Sequence, residues 1–149
     1  MIKKSISLIF LIFFLTNCGF TPVYLKNTNI NYSIEQVDYT GDRELNNFLK
    51  SNLNKYKNEK IDKKIFIEIN SIYKKNILTK DGAGKITSYE LEAVVIFLIQ
   101  PLNKEIQVIE KKIMNSMDDK FEETRQERII KQSFVSSISN KLISEININ

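Results

Sequence analysis

Apolar and polar positions alternate along residues 64–78, where Ile65, Ile67 and Ile69 are interleaved with Phe66, Glu68 and Asn70. A period of two predicts a strand with one face more buried than the other. Asp81-Gly82-Ala83-Gly84 follows, a turn signature because glycine supplies the positive φ that tight hairpins need. Residues 86–100 return as a long strand. Its second half, residues 93–99, is apolar at every position, a run that suits a central strand covered on both sides. Pro101-Leu102-Asn103 closes a second turn, and residues 105–113 form the partner strand. Upstream, Tyr32, Ile34, Val37 and Tyr39 alternate loosely and predict a first strand whose place in the sheet the pattern leaves open.

Two stretches carry the other period. Leu45, Phe48, Leu49, Asn52, Leu53 and Tyr56 fall three and four residues apart behind Asp42, a residue suited to an N-cap, and predict a helix to about residue 57. Phe121, Ile129, Ile130, Phe134, Ile138, Leu142 and Ile146 predict a second helix, capped by Asp118 or Asp119, with Glu122 and Glu123 in the first turn where the helix dipole favours negative charge. The order is strand-helix-strand-strand-strand-helix. It implies an α+β two-layer sandwich, a sheet of about four strands with both helices on one face.

The amino terminus follows neither pattern. Lys3 and Lys4 precede a nearly unbroken apolar run over residues 5–15. A membrane-spanning helix needs roughly 20 apolar residues, so this run has the length of a signal-peptide core. It ends at Leu15-Thr16-Asn17-Cys18, which resembles the lipobox of bacterial lipoprotein precursors, with Asn17 larger than the residue usual before the cysteine. The resemblance implies a leader over residues 1–17, a lipidated tether over residues 18–31 and a folded domain over residues 32–149. Cys18 is then the attachment point of a diacylglycerol and an N-linked acyl chain, two anchors that hold a protein on a bilayer stably where one does not. Gly19 stands where aspartate signals inner-membrane retention in many Gram-negative bacteria, which by the same resemblance implies the outer membrane, facing the periplasm.

Composition changes the picture in two respects. Cys18 is the only cysteine and there is no histidine, so the chain has no disulfide of its own and no thiolate or imidazole metal cluster. Without Lys3 and Lys4, 20 basic residues face 18 acidic ones, too small an excess for a nucleic-acid footprint. With the one thiol acylated, catalysis would rest on a carboxylate pair such as Glu90/Glu92 or Asp118/Asp119. Neither pair has a recognisable companion, and the reading is that the protein is not an enzyme and holds no cofactor.

Cys18-Gly19-Phe20-x-Pro22-x-Tyr24 resembles the start of the mature LPS-assembly lipoproteins of the LptE family, particularly the alphaproteobacterial branch. Residues 81–91, reading Asp-Gly-Ala-Gly-Lys-Ile-Thr-Ser-Tyr-Glu-Leu, are similar to that family's turn and strand, and residues 125–132 resemble its final helix. The resemblance implies a plug that sits one-to-one in the outer-membrane β-barrel LptD, helps it assemble and contacts lipopolysaccharide during delivery to the cell surface. For that contact the candidates are Lys80 and Lys85, on either side of the turn, and Lys120, because lysine offers an anionic head group a mobile charge with up to three donors. Glu90, Glu92 and Gln100 are expected to face the barrel lumen. Tyr73, Tyr89 and Phe97 are weighed either as exposed barrel contacts or as core. The alternative is a lipid-tethered, non-enzymatic scaffold of another outer-membrane assembly or lipid-transport system.

Overall fold

The structure is a computed structural model that describes residues 32–147. The expected leader, Cys18 and tether lie outside the described residues. The elements are β1 (Ser33–Gly41), α1 (Arg43–Leu53) with one 3-10 turn (Asn54–Tyr56), β2 (Lys64–Lys80), β3 (Ile86–Gln100), β4 (Lys104–Asn115) and α2 (Lys120–Asn147). They form a single four-stranded sheet in the order β1-β2-β3-β4. β2, β3 and β4 are an antiparallel meander, and β1 pairs parallel to β2 at one edge. A parallel pair needs a crossover, and α1 provides it. The expected α+β sandwich is the observed fold.

The first crossover is built from three local features. Gly41 has φ +92°, and a Cβ there would collide with the Ser71 carbonyl, so a side chain is excluded at the point where β1 leaves the sheet. Asp42 caps α1 by accepting from the Leu45 N–H at 2.8 Å. Leu45, Leu49 and Leu53, one helical turn apart, are then fully buried. The helix gives way to the 3-10 turn at Asn54, earlier than the sequence pattern implies.

Beneath the helices lie Ile65, Ile67 and Ile69 of β2, Leu91, Ala93, Val95, Phe97 and Ile99 of β3, and Val108 and Met114 of β4. α2 contributes Ile130, Phe134, Val135, Ile138, Leu142, Ile143 and Ile146. Burying each such side chain stabilises the fold by about 1.5–3 kcal/mol relative to exposure.

Two expectations are corrected. Residues 93–99 form a central strand, but only its odd positions are covered: Val94 and Ile96 are half-buried and Leu98 is exposed on a face that neither described helix reaches. Phe121 and Ile129, assigned to the buried stripe of the last helix, are exposed at 74% and 49%. The inward-facing positions in that half of α2 are Glu123, Glu127 and Lys131: the carboxylates meet Lys75 and Tyr73 on the sheet, and Lys131 meets Glu44 of α1. Of the two readings weighed for Phe97, Tyr73 and Tyr89, core is the one observed: Phe97 is fully buried, and Tyr73 and Tyr89 are half-buried against the hydrophobic core.

Candidate functional site

β1 pairs with β2 only as far as Ser71, while β2 and β3 run on together to Lys80 and Ile86. The far half of this hairpin therefore projects beyond the first strand. Its tip is ordered by Asp81, whose Oδ1 accepts from the backbone N–H groups of Ala83 and Lys85, each at 2.9 Å. Gly84, with φ +82°, supplies the left-handed residue of the turn.

The three candidate lysines do not converge equally. Lys85 and Lys120 line one cleft of about 230 Å³ with Ile86, Tyr89, Ser116 and Asp118; Lys80, on the opposite limb of the turn and exposed, does not line it. Lys85 Nζ donates to Asp118 Oδ1 at 2.6 Å. That hydrogen bond and the attraction behind it raise the lysine pKa and lower that of Asp118. Lys120 Nζ donates to Glu123 Oε2 at 3.1 Å. The cleft is thus already internally neutralised, and an anion entering it would compete with Asp118 and Glu123. Asp119, the second turn aspartate, caps α2 through the Phe121 N–H at 2.8 Å.

Below the tip lies a polar seam that hydrophobic periodicity does not reveal. Lys75 of β2 reaches Glu123 Oε1 at 3.1 Å and Glu127 Oε2 at 2.8 Å, and Tyr73 Oη donates to Glu127 Oε1 at 2.9 Å. Lys131 lies 4.0 Å above the Tyr73 ring centroid and binds Glu44 at the start of α1 at 2.8 Å. Burial alone would raise the Glu123 carboxyl, but the Met117 N–H, Lys75 and Lys120 outweigh it and hold the group at about 2. Burial and the bond to Glu127 push the Tyr73 phenol well above its usual range. The signal in the sequence was present in the spacing: Glu123, Glu127 and Lys131 are four residues apart, facing two strand positions two apart.

The other side of the sheet is left uncovered by the described residues. Ile72, Leu98 and Ile109 are exposed there, and with half-buried Val94 and Ile96 they make an apolar band across three strands. At one end Asp38, Glu68 and Glu105 rim a concavity of about 430 Å³. At the other a charged row crosses the sheet: Lys74 Nζ to Glu92 Oε1 at 3.3 Å, then Lys111 Nζ to Glu92 Oε2 at 2.6 Å, with Lys111 also 3.6 Å from Glu90. Glu90, Glu92 and Gln100 all lie on this face. Among the described residues, no group of three acidic, histidine or cysteine side chains is placed to hold a metal ion. No helix there is long and apolar enough to cross a membrane.

The architecture defines the class: a small α+β sandwich with one dressed and one bare sheet face. Solved lipoproteins have a similar fold. The chain is similar to a rare lipoprotein B from Shewanella oneidensis, with a TM-score of 0.52 and 15% identity over 76% of this chain and 98% of that one. It is likewise similar to lipoprotein B from Nitrosomonas europaea, with a TM-score of 0.54 and 15% identity over 79% and 86% of the two chains. A minor lipoprotein from Acinetobacter baumannii gives 0.50 and 13% over 74% and 93%. No protein-family model matches the chain, and no curated protein does.

Proposed function

We propose that this protein is an outer-membrane lipoprotein of the LptE type: a non-enzymatic plug, lipid-anchored through Cys18, that occupies and helps assemble an LptD-type β-barrel and contacts lipopolysaccharide in transit. The observation that carries this reading is the bare sheet face, an apolar band framed by charge, in a fold shared with lipoproteins. A contiguous apolar surface of this kind on a small domain marks a partner site. Its charged frame suits the polar interior of an outer-membrane barrel.

Dimensions support the same reading. β2 has 17 residues, so the hairpin tip stands about 50 Å from the end of the sheet where β1 begins, at about 3.3 Å per residue. The hydrocarbon core of a bilayer is about 30 Å thick. A plug anchored at the periplasmic leaflet through residues preceding β1 would carry Lys80 and Lys85 to the level of the outer leaflet, where phosphorylated glycolipid is delivered. There these two lysines, with Lys120, would meet its head group.

Solubilising the full-length lipoprotein from its own membranes in mild detergent tests this directly. The expected product is a near one-to-one complex with a large β-barrel protein, with acyl chains on Cys18 by mass spectrometry. Depletion that leaves the barrel assembled and surface lipopolysaccharide normal would overturn the assignment in favour of another envelope scaffold.

A further inference from the structure

β1 ends at Gly41, opposite Ser71, and the chain turns away into α1, while β2 continues for nine more residues. Among the described residues, β2 is therefore bonded from Ile72 onward to β3 on one side only. The direction of its backbone groups follows from alternation along a strand. The carbonyls of Ile69 and Ser71 point towards β1, where they accept from Thr40 Oγ1 at 3.0 Å and the Asp42 N–H at 2.9 Å. Pairing with β3 is unbroken to Ile77, so the N–H and C=O groups of Tyr73, Lys75 and Ile77 point the same way, out of the open edge. The register irregularity after Ile77 ends the usable stretch, as bulges do at natural sheet edges.

We propose that residues 72–77 of β2 accept one additional strand, and that the occupant is an extended segment of the barrel partner bearing an acidic residue beside apolar ones. Charge selects the acid. Across the open face the row reads Lys111, Glu92, Lys74, alternating in sign and ending at the free edge on a lysine whose side chain is 54% exposed. The next strand position continues the alternation only if it carries a carboxylate. Exposed Ile72, two residues before Lys74 on the same face, requires an apolar neighbour. A closed barrel wall has no strand edge to offer, so the segment is a loop or terminal arm. A second copy is disfavoured, because antiparallel self-pairing of residues 72–77 would bring the Lys74 side chains of both copies to one face without a new carboxylate between them. The inference rests on the barrel-partner reading and adds the place and manner of contact, strand addition.

Hydrogen exchange read at single amides, on the full-length lipoprotein alone and in its purified barrel complex, tests it. Alone, the amides of Tyr73, Lys75 and Ile77 exchange rapidly while those of Lys74 and Asn76, bonded to β3, are protected; in the complex the three outward amides slow by at least about 100-fold. Ile77→Pro removes one outward donor at a position where an edge strand tolerates proline, and Lys74→Gln removes the terminal charge. Each is expected to weaken the complex about 3- to 10-fold without shifting the unfolding midpoint. Should Ile77→Pro unfold the domain, Lys74→Gln carries the test. An intact one-to-one complex in which the three amides still exchange rapidly overturns strand addition and leaves the plug reading standing. Outward amides already protected in a lipoprotein of twice the monomer mass overturn it in favour of self-pairing. Failure to isolate any barrel complex removes both readings.

Discussion

Helix α2 crosses one continuous sheet, yet its two halves are attached by different forces. From Ile130 to Ile146 it lays apolar side chains on Val95, Phe97, Ile99 and Val108, with Lys141–Glu110 at 2.7 Å and Lys104–Glu145 at 3.1 Å at the rim. From Lys120 to Lys131 it lays carboxylates on Lys75 and Tyr73 and leaves Phe121 and Ile129 to solvent. Apolar contact is non-directional and scales with area, so the first half supplies stability. Buried ion pairs repay their desolvation only at good geometry, so the second half supplies register: it sets where the start of α2 sits against the hairpin, and hence where Lys120 meets Lys85. The end of α2 beside the hairpin tip is thus fastened by bonds that are specific, while its other end is fastened by bonds that are strong in aggregate.

The largest break in this contrast is expected in the apolar half. Phe97→Ala removes a fully buried ring and should destabilise the domain by about 3–5 kcal/mol in urea unfolding. In the polar half, Lys131→Met should cost about 1–2 kcal/mol, because partly exposed Glu44 loses its nearest cation while Glu127 keeps Lys75. A double-mutant cycle of Lys131→Met with Glu44→Gln should return a coupling of about 1 kcal/mol or more; additive effects would mean that no register bond exists there.

pH sharpens the comparison further. Glu123 is held at about 2 in the folded chain against an ordinary value of 4.5. The unfolded state therefore binds the extra proton between these values, so the stability Glu123 contributes is fully present above pH 4.5 and disappears as pH falls towards 2. Glu123→Gln should flatten the fall in urea midpoint between pH 5 and pH 3 relative to the parent protein. Part of the slope should survive, since Glu127 and Glu110 are also lowered.

The smallest structural effect belongs to the tip. Lys80→Gln with Lys85→Gln touches only exposed side chains and should leave the unfolding midpoint in place. The same pair should weaken lipopolysaccharide binding several-fold in a detergent-phase titration, the loss expected for two exposed charges, one of which already pairs with Asp118. Unchanged affinity would remove these lysines from the site.

Much of the fold was legible because it follows from local spacing. Ile86–Gln100, the Asp81–Gly84 turn, the Asp42 cap and the leucine stripe of α1 each depend on residues within a few positions of one another. The site was legible only as a set of lysines near a turn. That Lys85 and Lys120 share a cleft while Lys80 does not depends on a contact between the hairpin and the loop after β4, some thirty residues apart in the chain.

Local order along this chain, helix against strand and turn against cap, was determined by the sequence alone, because period and capping chemistry act between near neighbours. Tertiary structure decided what period cannot encode: that β1 joins an edge in parallel, that Glu123, Glu127 and Lys131 occupy the buried stripe in place of Phe121 and Ile129, and that one face of an apolar strand is left bare. A hydrophobic pattern records which side chains avoid water. Which surface covers them, or whether a buried charge finds its counter-charge, is settled only when distant strands and helices meet.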